Sequence, residues 1–270
     1  MAATERKRML IWGKTAPELS TKYFETVCTG AVLEDGSPIR IYPVPYRYMS
    51  TALQFKKYQW ITATIMKSES DPRPETFRID WDTIEPGEVI PTDKKEWLAR
   101  SESMFKNGGW IFESIEHIEQ AGKSLGVVTP KEIKKIELKK RPTEEQAEYE
   151  VKKNAIRQLL ENDRQQLRMF EEDMPPGFKE IDFVDTRVAV TWISGSGKQH
   201  TSQILDWEVT EAVRKHGGDK ALEIVKKNLN SETHAPRFYI GNFRLYPNRF
   251  SIVGLWYPQR MKPKGGTLFS

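Results

Sequence analysis

Asp35-Gly36 lies between two runs of β-forming residues, TVCTGAV and PIRIY, and the pattern predicts a β-hairpin over residues 26–42. With those two residues as the whole loop, Val32 faces Ile39 and Gly30 faces Ile41 on one side, and Ala31 faces Arg40 and Thr29 faces Tyr42 on the other. This register puts Cys28 on the apolar side, as a small core residue. On the other side small partners leave Arg40 and Tyr42 standing over a shallow groove. PVPYRY leaves the sheet, because proline has no amide hydrogen for the ladder, and carries Arg47 at the tip of a stiff loop.

Antiparallel pairing recurs along the chain. QWITATIMK (59–67), TFRI, SLGVVTP, KKIELKKR, RVAVTWI, RFYIGNF and FSIVGLWYP read as strands. DKKEWLARSESMF (93–105), ILDWEVTEAVRKH and DKALEIVKKNL read as helices, and apolar spacing favours helix for 110–120. Thr143-Glu-Glu-Gln146 is a capping box, and the helix behind it runs to about Glu172, roughly 45 Å, with Ala147, Val151, Ala155, Leu159, Leu160, Leu167 and Phe170 as its apolar stripe. MPPGF stops it. Strands and helices do not alternate regularly, so the expected class is α+β, with largely antiparallel sheets and two lobes joined by a long charged helix. The expected division is a β-rich lobe at 1–142, the amphipathic helix and linker at 143–175, and an α+β lobe at 176–270.

The 270 residues are enough to bury a core, and 30% of them are charged. No apolar run approaches a membrane span, and MAATERKRMLIW lacks the apolar centre of a signal peptide. One cysteine excludes an internal disulfide framework and fits a cytoplasmic setting; with four scattered histidines it offers no structural zinc site. No metal or cofactor is expected from these signals.

Charge is segregated. Between Asp35 and Glu69 there is no acid but five cations, Arg40, Arg47, Lys56, Lys57 and Lys67. After Glu232 there is again no acid but six, Arg237, Arg244, Arg249, Arg260, Lys262 and Lys264. The net charge is +4, so the rest of the chain is acidic by seven. Two basic segments on an acidic body concentrate field where an anion docks. Both tracts interleave aromatics, and Arg40-Ile-Tyr-Pro43 recurs as Arg244-Leu-Tyr-Pro247 with no longer repeat around it. Arginine forks hold phosphate and aromatic faces stack bases. The ordinary alternative is that the aromatics are core and the arginines its wet edge.

Other motifs carry less. SGSGK (194–198) fails as a phosphate loop, because Trp192 and Gln199 stand where glycine and a hydroxyl are needed, and His200 reads as a surface turn residue. Asp206-Trp-Glu208 reads as the acidic start of a helix rather than a metal pair. Asp71-Pro-Arg73-Pro-Glu75 is either a rigid loop presenting charge to a site or a turn whose arginine and acids pair with one another. Glu137-Leu-Lys139 matches the acid-x-lysine half of a restriction-type nuclease site, in which Mg²⁺ would be required, but the nearest upstream aspartate is Asp93, in a predicted helix start.

ETVCTGAVLEDGSPIRIYPVPYRY, with QFKKYQWI, DPRPE, ILDWE and FSIVGLWYP, resembles a group of uncharacterised bacterial and phage proteins with no established activity. Some of that group carry cysteines before the DWE segment; here SGSGKQH stands there, so no metal role carries over. The resemblance implies a setting in mobile-element or defence biology and no substrate.

The function expected is therefore an accessory protein that binds nucleic acid or a nucleotide. Arg40, Arg47, Arg73, Arg244 and Arg249 would contact phosphate, Tyr42, Tyr46 and Tyr246 would stack, and Lys56 and Lys57 would add salt-sensitive attraction. One alternative is a metal-dependent nuclease or other phosphoesterase using Glu137 and Lys139 or the Asp71/Glu75 pair. Another is an interaction scaffold that self-associates or binds a protein partner through 143–172. No membrane partner is expected.

Overall fold

The computed structural model describes residues 4–92, 97–106, 108–168 and 179–260, without the side chains of 163–168. Six strands form the first sheet: β1 (Thr4–Lys14), β2 (Glu18–Ser20), β3 (Phe24–Leu33), β4 (Pro38–Val44), β5 (Gln59–Lys67) and β6 (Thr76–Val89). They run in the order β1-β5-β6-β4-β3-β2, and a further β1–β3 pairing closes five of them into a barrel. Among the described strands of this sheet, only β4 and β6 pair in parallel. β5 shows the cause most simply: Ile61, Ala63 and Ile65 alternate with Thr62 and Thr64, and the apolar set turns inward to meet Met9, Ile11, Ala31, Ile39 and Ile41.

The hairpin forms with a register one residue away from expectation. Ala31 pairs with Ile39, Gly30 with Arg40 and Thr29 with Ile41. The loop has three residues, Glu34–Gly36: Gly36 takes a positive φ of 83°, its amide bonds Leu33, and Leu33 N donates to Ser37 O at 2.9 Å. Asp-Gly serves this type I turn with a left-handed third residue as well as it serves a two-residue loop. A ladder irregularity between Val27 and Thr29 follows, at Cys28. Cys28, Gly30, Arg40 and Tyr42 therefore share the outer face of the barrel, and Cys28 is not on the apolar inner side.

Among the described residues the remainder is built from two further sheets and five α-helices. β7 (Ile111–Phe112), β8 (Leu125–Val128), β12 (Arg237–Asn242) and β13 (Phe250–Trp256) form one sheet in the order β13-β12-β8-β7. β9 (Glu132–Lys140), β10 (Thr186–Ile193) and β11 (Gln199–Gln203) form the other, with β10 central. The helices are α1 (Leu98–Met104), α2 (Ile115–Gln120), α3 (Thr143–Arg168), α4 (Trp207–His216) and α5 (Gly218–Asn228). Strands β8 and β9, which precede α3, thus lie in sheets completed by strands that follow it. The α+β class stands, and among the described residues no helix is long and apolar enough to cross a membrane.

Several local expectations change. Residues 110–120 split into a two-residue strand and helix α2, whose cap Ser114 accepts from His117 N. Asp93 lies outside the described residues, as do the expected helix end at 169–172, Lys262 and Lys264. On α3 the buried residues are Ile156 and Leu160, packed with Leu19 beside Tyr149, whereas Val151 is 69% and Leu159 43% exposed. Positions 149, 156 and 160 fall on one helical face, which β2 covers; the stripe counted through 151 and 159 lies off it.

The barrel and the C-terminal sheet share a core. Trp12 and Val32 on the barrel's outer face pack with Tyr58, Trp110, Tyr239 and Trp256. Trp12 stacks on Tyr239 at 4.4 Å between ring centres, and Tyr239 on Trp110 at 5.6 Å. Gly30 makes this possible: a Cβ there would lie 2.0 Å from the Trp12 ring.

Candidate anion-binding cleft

A cleft of about 1060 Å³ opens between the barrel and the C-terminal half. Strands β1 to β4 contribute Trp12, Cys28, Arg40 and Tyr42 to it, and the loop between β12 and β13 contributes Arg244, Tyr246 and Arg249. The two acid-free tracts, some two hundred residues apart, thus meet on one surface. Among the described residues that line it are six arginines and two lysines against five glutamates.

The arginines are not equivalent. Arg40, expected at the groove surface, is only 2% exposed. Its guanidinium donates to Ser124 Oγ at 2.8 Å, Ser124 O at 3.1 Å and Thr76 Oγ1 at 3.3 Å. Burial lowers its pKa, with Glu75 and Asp71 opposing. Ser124 in turn donates to Glu75 Oε2 at 2.6 Å. Arg73 holds Asp71 in a two-bond fork, 2.9 and 2.6 Å, and reaches Asn242 O at 2.8 Å. Two prolines set the loop, and its charges pair with one another and with the C-terminal sheet, so Asp71-Pro-Arg73-Pro-Glu75 ties the two halves together. Arg40 and Arg73 therefore floor the cleft with fixed charge and have few donors free.

The open donors lie on the loop. Arg244 and Arg249 are exposed; Arg244 donates to Ser70 O at 3.2 Å, and the Arg249 guanidinium sits 4.8 Å from the centre of the exposed Tyr246 ring. The second RIYP-like motif occupies this loop and not a strand end, so the two copies converge on the cleft without being structural equivalents. Tyr42, half-buried, shares a 3.4 Å contact with Thr26, and burial raises its pKa.

Four of the expected binding residues lie away from the cleft lining. Tyr46 donates to Phe55 O and packs edge-on against Phe55 and Trp207. Arg47 bonds Glu25, whose side chain is 1% exposed, at 2.5 Å and reaches the carbonyl of Glu180. Lys56 is exposed. Lys57 lies between Asp206 at 3.5 Å and Glu208 at 2.9 Å; burial works against its charge, but Asp206 foremost, with Glu208 among the others, holds its pKa well above the usual lysine value. Asp206 itself caps α4, accepting from Glu208 N at 2.8 Å.

The carboxylates considered for metal chemistry are committed elsewhere. Asp71 is paired with Arg73, Glu75 accepts from Ser124, and Glu137 lies on β9 between Lys135 at 2.5 Å and Lys139 at 3.7 Å. Among the described residues no group of three His, Cys, Asp or Glu is arranged to hold a metal ion.

Sequence reasoning missed the rest of the lining. Arg141 and Arg187 both reach Glu145, at 2.8 and 3.2 Å. His200 lies on β11, tilted against Trp192 at 4.7 Å and with Nε2 3.8 Å from Glu116, and is not a turn residue. Burial lowers its pKa. Lys198 bonds Glu116 at 2.7 Å. The alternation of RVAVT marked Arg187 as an outward position, but nothing local showed what it would face.

Residues 5–106 match the family described as Domain of unknown function (DUF8758). Residues 112–270 match the one described as Domain of unknown function (DUF8757). No curated protein matches the chain. The cleft is lined from both matched segments. With more than half of its length in the second match, the chain belongs to the family Domain of unknown function (DUF8757).

Proposed function

We propose that this cleft binds a phosphate-bearing ligand, single-stranded nucleic acid or a nucleotide, as an accessory to a larger system. The observation that supports it is the meeting of the two acid-free tracts: Arg244, Arg249 and Tyr246 on one loop face a lining that also holds Arg40 and Tyr42. Buried Arg40 and Arg73 supply fixed positive potential, and the exposed loop supplies accessible donors and a ring on which a base can stack. The test is binding of labelled single- and double-stranded oligonucleotides and of ATP across a salt series. Affinity should fall as salt rises, because phosphate neutralisation releases counterions. No affinity at low salt, or affinity indifferent to salt, rejects the reading.

A second reading, association with a protein or with another copy through the 143–172 segment, is favoured by exposed Val151 and Leu159 on α3. Light scattering after size exclusion distinguishes it: a monomer that binds nucleic acid equally well without that helix counts against it. Phosphoester cleavage through Glu137, or through Asp71 and Glu75, draws no support from carboxylates already paired with Lys135, Arg73 and Ser124.

A further inference from the structure

Across Gly13 from the cleft, a second cavity of about 430 Å³ lies between β1 and helix α4, lined among others by Lys14, Lys57, Trp207 and Glu208. We propose that Lys14 is a nucleophilic amine which condenses there with a small aldehyde or ketone. Lys14 ends β1 just after the irregularity between Ile11 and Gly13. Its Nζ lies 3.6 Å from the centre of the Tyr46 ring, 5.2 Å from Trp207 and 5.4 Å from Phe55, and it donates to Phe55 O at 3.2 Å.

The amine is walled by rings, and among the described residues no carboxylate pairs with it. Of the acids lining the cavity, Asp206 and Glu208 are taken by Lys57 and Glu211 by Arg214. A lysine out of water, beside a second cation, gives up its proton readily. Burial above all brings Lys14 down to about 8; Lys57 adds to this, and Glu208 and Asp206 oppose it. A neutral fraction is then present near neutral pH, and only the neutral amine attacks a carbonyl.

The chemistry balances without a cofactor. The Nζ lone pair bonds to the carbonyl carbon, and the nitrogen's surplus proton passes through water to the carbonyl oxygen, giving a neutral carbinolamine. A proton from solvent then converts the hydroxyl to water, which leaves as the nitrogen lone pair forms the C=N bond, giving a protonated imine that carries that one added charge. That product keeps the positive charge, so the same three ring faces that hold the ammonium hold it. The cavity is within the range for a small ligand.

The test is reductive alkylation of the whole protein with propanal and cyanoborohydride at about pH 7.5, read by peptide mass spectrometry. Lys14 should be propylated about tenfold faster than exposed Lys56, because its burial beside Lys57 favours the neutral, nucleophilic amine. A Lys14 rate equal to or below that of Lys56 overturns the proposal. Tyr46→Leu separates activation from access. Opening the wall hydrates the amine, so its rate should fall; a rate that holds or rises shows that burial only shields Lys14, and also overturns the proposal.

Discussion

The guanidinium of Arg40, on the barrel, lies 2.8 Å from the hydroxyl of Ser124, which leads into the C-terminal sheet. The same hydroxyl donates to Glu75, so a buried cation and a buried anion are joined through one serine. Each group depends on the others, because an unpaired charge in such a place is costly.

Removing one member should therefore be severe. Arg40→Met is expected to destabilise the protein by about 3 kcal/mol or more, since Ser124 O and Glu75 lose their partner and nearby charge. Ser124→Ala should cost about 1–3 kcal/mol. The double variant should cost less than the sum, because both changes break one network. Urea midpoints for the cycle check this; strict additivity would mean that the three residues do not act as a unit.

Gly30 should tolerate no side chain. An added methyl meets the Trp12 ring at 2.0 Å, and that ring cannot retreat because Tyr239 stacks on it at 4.4 Å. Gly30→Ala is expected to cost about 3 kcal/mol or more. Gly13→Ala is the control: the nearest atom to its new Cβ is Val253 O at 3.9 Å, and it should lower the melting temperature much less.

These two residues show where sequence reading stops. The hairpin, the alternation of β5 and the end strands are legible because period-2 patterning and turn residues are local. The barrel closure is not, because β1–β3 and the parallel β4–β6 pairing join segments that carry no local mark of one another. The register slipped by one because Asp35-Gly36 fits two loop lengths and only the packed sheet chooses between them. In the site, segregated charge pointed to both halves of the cleft. It could not show that Arg40 would be bonded by Ser124 and Arg73 by Asn242, or that Arg141 and Arg187 would join them, because those partners are remote in sequence; the Asp71–Arg73 pair, two residues apart, is one of the two readings the loop allows.

Glu116 should give the cleft an acid-sensitive edge. Burial alone would raise its carboxyl, but the bond from Lys198 leads the effects that outweigh it, followed by its own backbone amide, Ser114 and His200, and they bring it to about 2. A depressed carboxyl stabilises the fold above its unfolded pKa, and that contribution is lost as pH falls toward the folded value. Glu116→Gln should therefore lower the melting temperature at neutral pH, and the gap to the parent should close between about pH 5 and 2. A gap that stays constant over that range would mean the Lys198 bond adds nothing to stability.

The loop residues Tyr246 and Arg249 separate binding from folding. Both are exposed, with the guanidinium 4.8 Å from the ring, so replacing either by alanine should shift stability by less than about 0.5 kcal/mol. Their effects on nucleic-acid affinity should differ in kind. Arg249→Ala removes one phosphate contact, weakening binding and reducing the salt slope by about 1. Tyr246→Ala removes a stacking face, costing about 1–3 kcal/mol for single strands while leaving the slope unchanged. Lys56→Ala, at an exposed position outside the cleft, should do neither. Arg47→Ala should act instead on stability, since it removes the counter-charge of the buried Glu25 carboxylate and leaves it the backbone amide of residue 47. Titrations of the four variants against one labelled oligonucleotide decide the matter: if Lys56 or Arg47 governs affinity and the loop pair does not, the ligand lies elsewhere on the protein.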